Sequence, residues 1–180
     1  HVYYWVTYDT PVDYDDKADS DYVVKKIENL IGYIEETSIL IISSQLPVGS
    51  VNHLKYLARE NHKENLKIYY LPENLRLGKS IEIFLKPDRI VVGSDYEDNK
   101  LIKNLLNLIS SDQVWMSNTS AEISKHAINS FLATSVVFAN EIASICEVNK
   151  ASADDVSMAL KTDVRIGKRA YLSAGGPFAG

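Results

Sequence analysis

Apolar residues fall into two patterns along the chain. Up to about Ser117, short apolar runs alternate with helical periodicities and turn signals. Val2 to Tyr8 is aromatic and β-branched, which suits a strand, and Thr10-Pro11 ends it. An acidic loop, Asp13 to Asp21, follows. Tyr22, Val23, Ile27, Leu30, Ile31 and Ile34 then recur at helical spacing. Ser38 to Ser43 contains the run ILII, expected for a strand covered on both faces. Pro47 and Gly49 mark a turn, and Ser50 is placed to cap a helix running to about Asn61. Further strands are expected at Leu66 to Leu71, Asp88 to Gly93 and Gln113 to Met116. An irregular stretch follows Pro72. A helix is expected over Tyr96 to Ser110, with Leu101, Leu105, Leu108 and Ile109 as its apolar stripe. Strands alternating with helices imply βαβ units and a mainly parallel sheet.

The second pattern starts after Ser117. Thr119 to about Val148 holds no glycine or proline, and Thr119 with Glu122 has capping-box spacing. From Ala127 to Ile145 the apolar residues run nearly all round the helix, so it should be buried or shared with a partner. A second helix, Ser152 to about Lys161, has Ser152 as its cap. The fold class is therefore α/β followed by all-α, with domains expected at 1–117 and 118–180.

Composition narrows the function. A chain of 180 residues can bury roughly 70% of its unfolded surface without a metal or disulfide staple. The net charge of −5 argues against nucleic acid as a partner. Cys146 is the single cysteine, which excludes a disulfide framework and makes a reducing, cytoplasmic setting the default. The continuous apolar run Ile39 to Ile42 is too short to cross a bilayer, so no membrane role is expected. His1, His53, His62 and His126 lack partners at metal-binding spacing, so no metal site is expected. No glycine-rich dinucleotide motif or P-loop occurs. The chain starts at His1 without a signal-peptide pattern and stops at GGPFAG in a glycine-rich turn. Both ends read as cut, as in an internal piece of a longer protein.

A few residues carry candidate chemistry. Lys125 and Asn129 lie four apart on one helix face, with Lys125 near the end of the helix dipole that disfavours a cation. They form either a functional pair or a solvated i,i+4 pair. Glu122 is accounted for by the capping box. Glu73 follows Pro72 at the expected carboxyl end of a parallel strand, where ligands of open α/β sheets bind, or is a solvated loop carboxylate. Asp163-x-Arg165-x-Gly167 and the turn Gly175 to Gly180 allow close backbone approach to a ligand, or form a surface loop. Cys146 reads as a small core residue.

Four blocks, taken in order, resemble the UDP-glucose/GDP-mannose dehydrogenase family. They are TPVD (Thr10 to Asp13), SSQLPVGS (Ser43 to Ser50), YLPENLRLGKSIEIFLKPDRIVVG (Tyr70 to Gly93), and AEISKHAINSFLAT (Ala121 to Thr134) continuing to DVRIG (Asp163 to Gly167). The resemblance implies the second half of an NAD-binding Rossmann-like domain, then a long-helix central domain pairing as a homodimer through 119–148. It implies oxidation of the C6 hydroxyl of a sugar nucleotide to a carboxylate, in two hydride transfers to NAD, through a cysteine-linked thioester. Glu73 would be the acid/base group, Lys125 the oxyanion stabiliser and Asn129 a holder of sugar or water. Asn74, Leu75 and Arg165 would bind substrate, with Arg165 reaching across the dimer. Thr10 and Gln45 would contact the cofactor. Three positions depart from the family: Gln45 replaces a threonine, Asn74 a phenylalanine and Leu77 a glutamate. The family's cysteine position lies beyond Gly180 and Cys146 cannot replace it, so the chain alone is expected to be catalytically silent. The alternatives are a non-catalytic dimerisation scaffold, or a one-step dehydrogenase of the 6-phosphogluconate or hydroxyisobutyrate type.

Overall fold

The computed structural model describes residues 1–15, 18–73, 75, 78–172 and 175. The chain divides into two compact units, His1–Lys125 and His126–Gly180. The first unit holds strands β1 (Tyr3–Val6), β2 (Ile39–Ile42), β3 (Lys67–Tyr70), β4 (Ile90–Gly93) and β5 (Gln113–Met116), with helices α1 (Ser20–Tyr33), α2 (Ser50–Glu60), α3 (Ser80–Leu85) and α4 (Lys100–Leu106). The strands lie in chain order. β1, β2 and β3 are parallel and in step, so Val6, Ile42 and Tyr70 end at one common edge. β4 meets β3 antiparallel through the single pair Tyr70↔Gly93, and β5 runs parallel to β4. The Tyr96 hydroxyl accepts the Ile68 amide beside β3, and its ring centroid lies 5.3 Å from that of Tyr69.

All four residues of β2 are buried, as a strand covered on both faces requires. Its side chains alternate. Leu40 and Ile42 pack with Val23, Ile27 and Ile31 of α1 and Val51 and Leu54 of α2. Ile39 and Ile41 pack with Tyr69, Ile102 and Leu106 on the other face. Asp19 caps α1 by accepting the Tyr22 amide at 3.0 Å. At the other end of α1 the Lys63 ammonium donates to the carbonyls of Ile31, Gly32 and Ile34 at 2.5, 2.9 and 2.6 Å, a cation on the negative end of the helix dipole.

Several sequence expectations are corrected here. α3 lies inside the stretch read as irregular; its six residues are too few, and too exposed, to show a periodicity. α4 begins at Lys100, and its buried face is Ile102 and Leu106. Of the expected stripe, Leu108 is 83% exposed and Leu101 is at the surface, while Leu105 packs partly against the core. Tyr22 also points outward, though the rest of the α1 periodicity is buried or partly buried. Ser50 is not a cap. The cap residue of α2 is Gly49, in the left-handed region at φ 94°, where a side chain would be strained.

The long helix α5 (Asn118–Asn149) starts in the first unit and continues into the second. Its cap is Ser117, whose hydroxyl accepts the Ser120 amide at 3.1 Å, rather than Thr119. Glu122 is therefore too far into the helix to close a capping box. In the second unit, α6 (Ala153–Thr162) is capped by Ser152, which accepts the Asp155 amide at 3.1 Å. Val136, Ala139 and Cys146 of α5 are buried at helical spacing. Cys146 is thus the small core residue that its setting suggested. Other apolar residues of α5 stay exposed: Phe131 at 71%, Val137 at 60% and Val148 at 84%. Among the described residues α5 is long and apolar enough to cross a bilayer. That revises an expectation based on Ile39 to Ile42 alone.

Candidate active site

Three parallel strands deliver Thr10, Gln45 and Glu73 to the loops at one sheet edge. Thr10 is half-buried beyond β1, with its amide on the Asp9 carboxylate at 2.9 Å. Gln45 is exposed in the loop from β2 to α2. Glu73 follows β3 with its side chain 42% exposed, and one of its oxygens, Oε2, accepts the Leu75 amide at 2.5 Å. That bond closes a local turn and engages the Leu75 amide.

Lys125 comes to this edge from α5. Its ammonium donates to the Glu73 backbone carbonyl and lies 3.9 Å from Oε1 of the same residue. The Lys125 side chain is only 12% exposed. Since α5 begins at Asn118, Lys125 lies beyond its first two turns, where the helix dipole has largely faded. The conflict expected from sequence is correspondingly small, and the Glu73 carbonyl supplies a direct acceptor.

Two contacts set the start of α5. Gly93, at the end of β4, lies beneath its first turn. A Cβ there would come within 2.9 Å of the Ala121 Cβ and 3.1 Å of the Asn118 Cα, so the close approach requires glycine. Asp95 then accepts the Asn118 backbone amide at 3.1 Å, the Asn118 side-chain amide at 2.8 Å and the Lys55 ammonium at 2.6 Å. Partial burial pushes the Asp95 carboxyl up, but the bonds from Lys55 and Asn118 outweigh it and hold it below the usual carboxylate range.

Glu122 does more than sequence reasoning assigned. It is buried, and its carboxylate accepts the Gly49 amide at 2.7 Å and the Val51 amide at 2.9 Å. It therefore caps α2 from 71 or more residues away. Nearby, burial pushes the Tyr70 hydroxyl up to about 12, against a hydrogen bond from the Leu46 backbone, with Glu122 and Glu73 adding to the rise.

The structure brings Glu73, Leu75 and Lys125 together and sets Thr10 and Gln45 on loops of the same edge. Asn74 and Leu77 lie outside the described residues. Asn129 and Arg165 belong to the second unit. Asn129 is exposed one turn beyond Lys125 on α5. Arg165 is exposed and grips Asp163 with two guanidinium bonds, at 3.0 and 2.7 Å. That grip holds the Asp163 carboxyl below its ordinary range. Sequence reasoning missed Gly93 and Asp95 and misjudged Glu122. The block PDRIVVGSDY contains the first two, but nothing in it states which helix they meet.

The chain matches known proteins over nearly its whole length. Residues 3–109 match the sequence model of the NAD binding domain of the UDP-glucose/GDP-mannose dehydrogenase family, and residues 119–180 match that family's central domain. A UDP-glucose 6-dehydrogenase of Rickettsia typhi is 35% identical over 98% of this chain and 41% of its own length. The solved UDP-glucose dehydrogenase of Pyrobaculum islandicum superposes with a TM-score of 0.78 at 30% identity, over 97% of this chain and 41% of that one. A GDP-mannose dehydrogenase of Pseudomonas aeruginosa superposes equally well, with a TM-score of 0.78 at 20% identity over 96% of this chain and 41% of its own, and so shares the fold. The chain spans about two fifths of the length of the curated relatives it matches. The two domain matches, in order along the chain and together covering most of it, make this chain a member of the UDP-glucose/GDP-mannose dehydrogenase family.

Proposed function

We propose that the chain is part of an NAD-dependent dehydrogenase that oxidises the C6 hydroxyl of a UDP-sugar, of the UDP-glucose type, to a carboxylate. The observation that carries this reading is the Lys125 ammonium, largely shielded from water, held against Glu73 at the carboxyl edge of the parallel strands. A fixed cation in a low-dielectric site stabilises an oxyanion more strongly than water does. Lys125 faces the substrate oxygen as negative charge develops on it. Glu73 keeps one carboxylate oxygen, Oε1, clear of the Leu75 amide and uses it to move a proton to or from the attacking water. Asn129 holds the sugar or that water. Backbone groups at Asn74 and Leu75 bind substrate, once the Leu75 amide is released from Glu73. Arg165 reaches a neighbouring subunit's site.

The residues at the strand ends suit a dinucleotide. Thr10 offers a hydroxyl and Gln45 an amide that both donates and accepts, neutral groups fitted to ribose and carboxamide. NAD, bound there twice in succession as two separate molecules, would supply one hydride acceptor for each of the two oxidations. Water supplies the second carboxylate oxygen by hydrolysing a thioester on a cysteine outside this chain. Cys146 is buried in the second unit and is not placed to carry that thioester.

Beyond the substrate and NAD, the partner is a second copy of the chain, paired through the apolar face of α5. The exposed Phe131, Val137, Phe138 and Val148 support this. Glu141 in mid-helix argues for a protein partner over a bilayer, because a carboxylate in hydrocarbon is costly. A cytoplasmic setting fits the single buried cysteine. The test is Lys125→Ala in a full-length enzyme carrying this segment. Turnover should fall by about 100-fold or more, the scale of losing one oxyanion donor, with the melting temperature nearly unchanged. Unchanged turnover removes the oxyanion role.

A further inference from the structure

Among the described residues, Glu122 is the only carboxylate buried from solvent, at 1% exposure. Both its oxygens are directed at one target, the amides of Gly49 and Val51, at 2.7 and 2.9 Å. Those amides belong to the cap and second residue of α2. They close the loop Ser43 to Gly49, which carries Gln45. Glu122 also precedes Lys125 by three residues, about one turn of α5. One stretch of helix thus carries the tie to the Gln45 loop and the ammonium set against the Glu73 carbonyl. Charge-assisted bonds to two amides fix direction as well as distance.

We propose that Glu122 is a positioning residue: it joins the Gln45 loop to the turn of α5 that carries Lys125, so that the cofactor-side loop and the catalytic ammonium keep one mutual geometry. The inference rests on the reading that Gln45 and Lys125 serve one site. Tyr70 holds the same loop from β3 through the Leu46 backbone, and Glu73 follows Tyr70 by three residues. The loop is therefore held from the two elements that present the proposed catalytic pair. An ordinary helix cap would need only a serine or aspartate in place of Gly49; this one comes from the helix bearing the lysine.

The experiment compares Glu122→Gln, Glu122→Asp and Lys125→Ala in a full-length enzyme carrying this segment, by steady-state kinetics with UDP-glucose and by amide hydrogen exchange. Glu122→Gln keeps one acceptor oxygen and nearly the same volume. It should speed exchange at Gly49 or Val51 by about tenfold while leaving Leu40 and Ile68 protected, which marks a local change. Its kcat should fall by about 10- to 100-fold, as expected for a catalytic group displaced by an ångström, with KM for the sugar nucleotide within about twofold. Glu122→Asp, which keeps the charge but is one methylene shorter, should recover part of the lost kcat. An undiminished kcat in Glu122→Gln overturns the inference and leaves a plain cap. Equal deprotection of Gly49, Val51, Leu40 and Ile68 also overturns it, as a loss of global stability. If Lys125→Ala cripples turnover and Glu122→Gln does not, only this inference fails. If Lys125→Ala is fully active, the site reading fails and this inference with it.

Discussion

The two units handle apolar surface differently. In the first, β2 is covered on both faces and its four side chains are at most 1% exposed. In the second, α5 is as apolar as a core element, yet Phe131 and Val148 remain 71% and 84% exposed. The same kind of sequence signal, apolar residues without alternation, thus has two outcomes. A short β-branched run between turns finds its cover within the chain. A long helix apolar on all sides finds cover for the stripe Val136, Ala139 and Cys146 and leaves the rest for something else. The first unit closes over its apolar strands, whereas the second leaves apolar residues of α5 exposed.

The largest expected break in that contrast is inside the first unit. Ile42→Ala, at a position 0% exposed, should cost about 2–5 kcal/mol in chemical denaturation, the range for large-to-small core changes. Gly93→Ala should cost about 1–3 kcal/mol, because a Cβ 2.9 Å from Ala121 forces the start of α5 to move. The same variant should lose activity beyond its stability loss, since moving the start of α5 shifts Glu122 and Lys125 further along the same helix. In the second unit, Phe138→Asp should change the stability of the monomer by about 0.5 kcal/mol or less, as a surface substitution does. Its effect should be a shift from dimer to monomer in sedimentation; a dimer that persists would remove the face from the interface.

The smallest effect sharpens how the helix starts. Asp95 has a folded-state pKa below its ordinary value of about 3.9. Such a group stabilises the fold above its unfolded pKa, and that stabilisation is lost as pH falls through the folded pKa. The wild-type chain should therefore lose stability on acidification below about pH 4 more steeply than Asp95→Asn does. Parallel acid limbs in the two proteins would contradict the Lys55–Asp95–Asn118 linkage.

How much of this was legible in the sequence follows the range of the interactions. β2 and the α1 periodicity read directly, because both are local patterns facing a local core. α3 did not, since six exposed residues carry no period. The α4 stripe was misplaced because Leu101 and Leu108 mimic a core face while Ile102 and Leu106 form it. The family's blocks located Glu73 and Lys125, and the fold brings them together. Glu122 was misread for a physical reason: shifting the helix start by one residue abolishes the capping box, and its true partners lie at Gly49 and Val51, across the fold. Gly93 likewise looked like the end of a strand, and only its contact with Ala121 explains why glycine stands there.

The pairing of Lys125 with Glu73 is most directly tested by a double-substitution cycle in a full-length enzyme carrying this segment. Single-turnover rates would be measured for Lys125→Met, Glu73→Gln and the double variant. Groups that act as a unit give non-additive losses, so the double variant should be nearly as active as the worse single one. A double variant whose rate falls by the product of the two separate losses would mean that ammonium and carboxylate act independently, whatever their proximity.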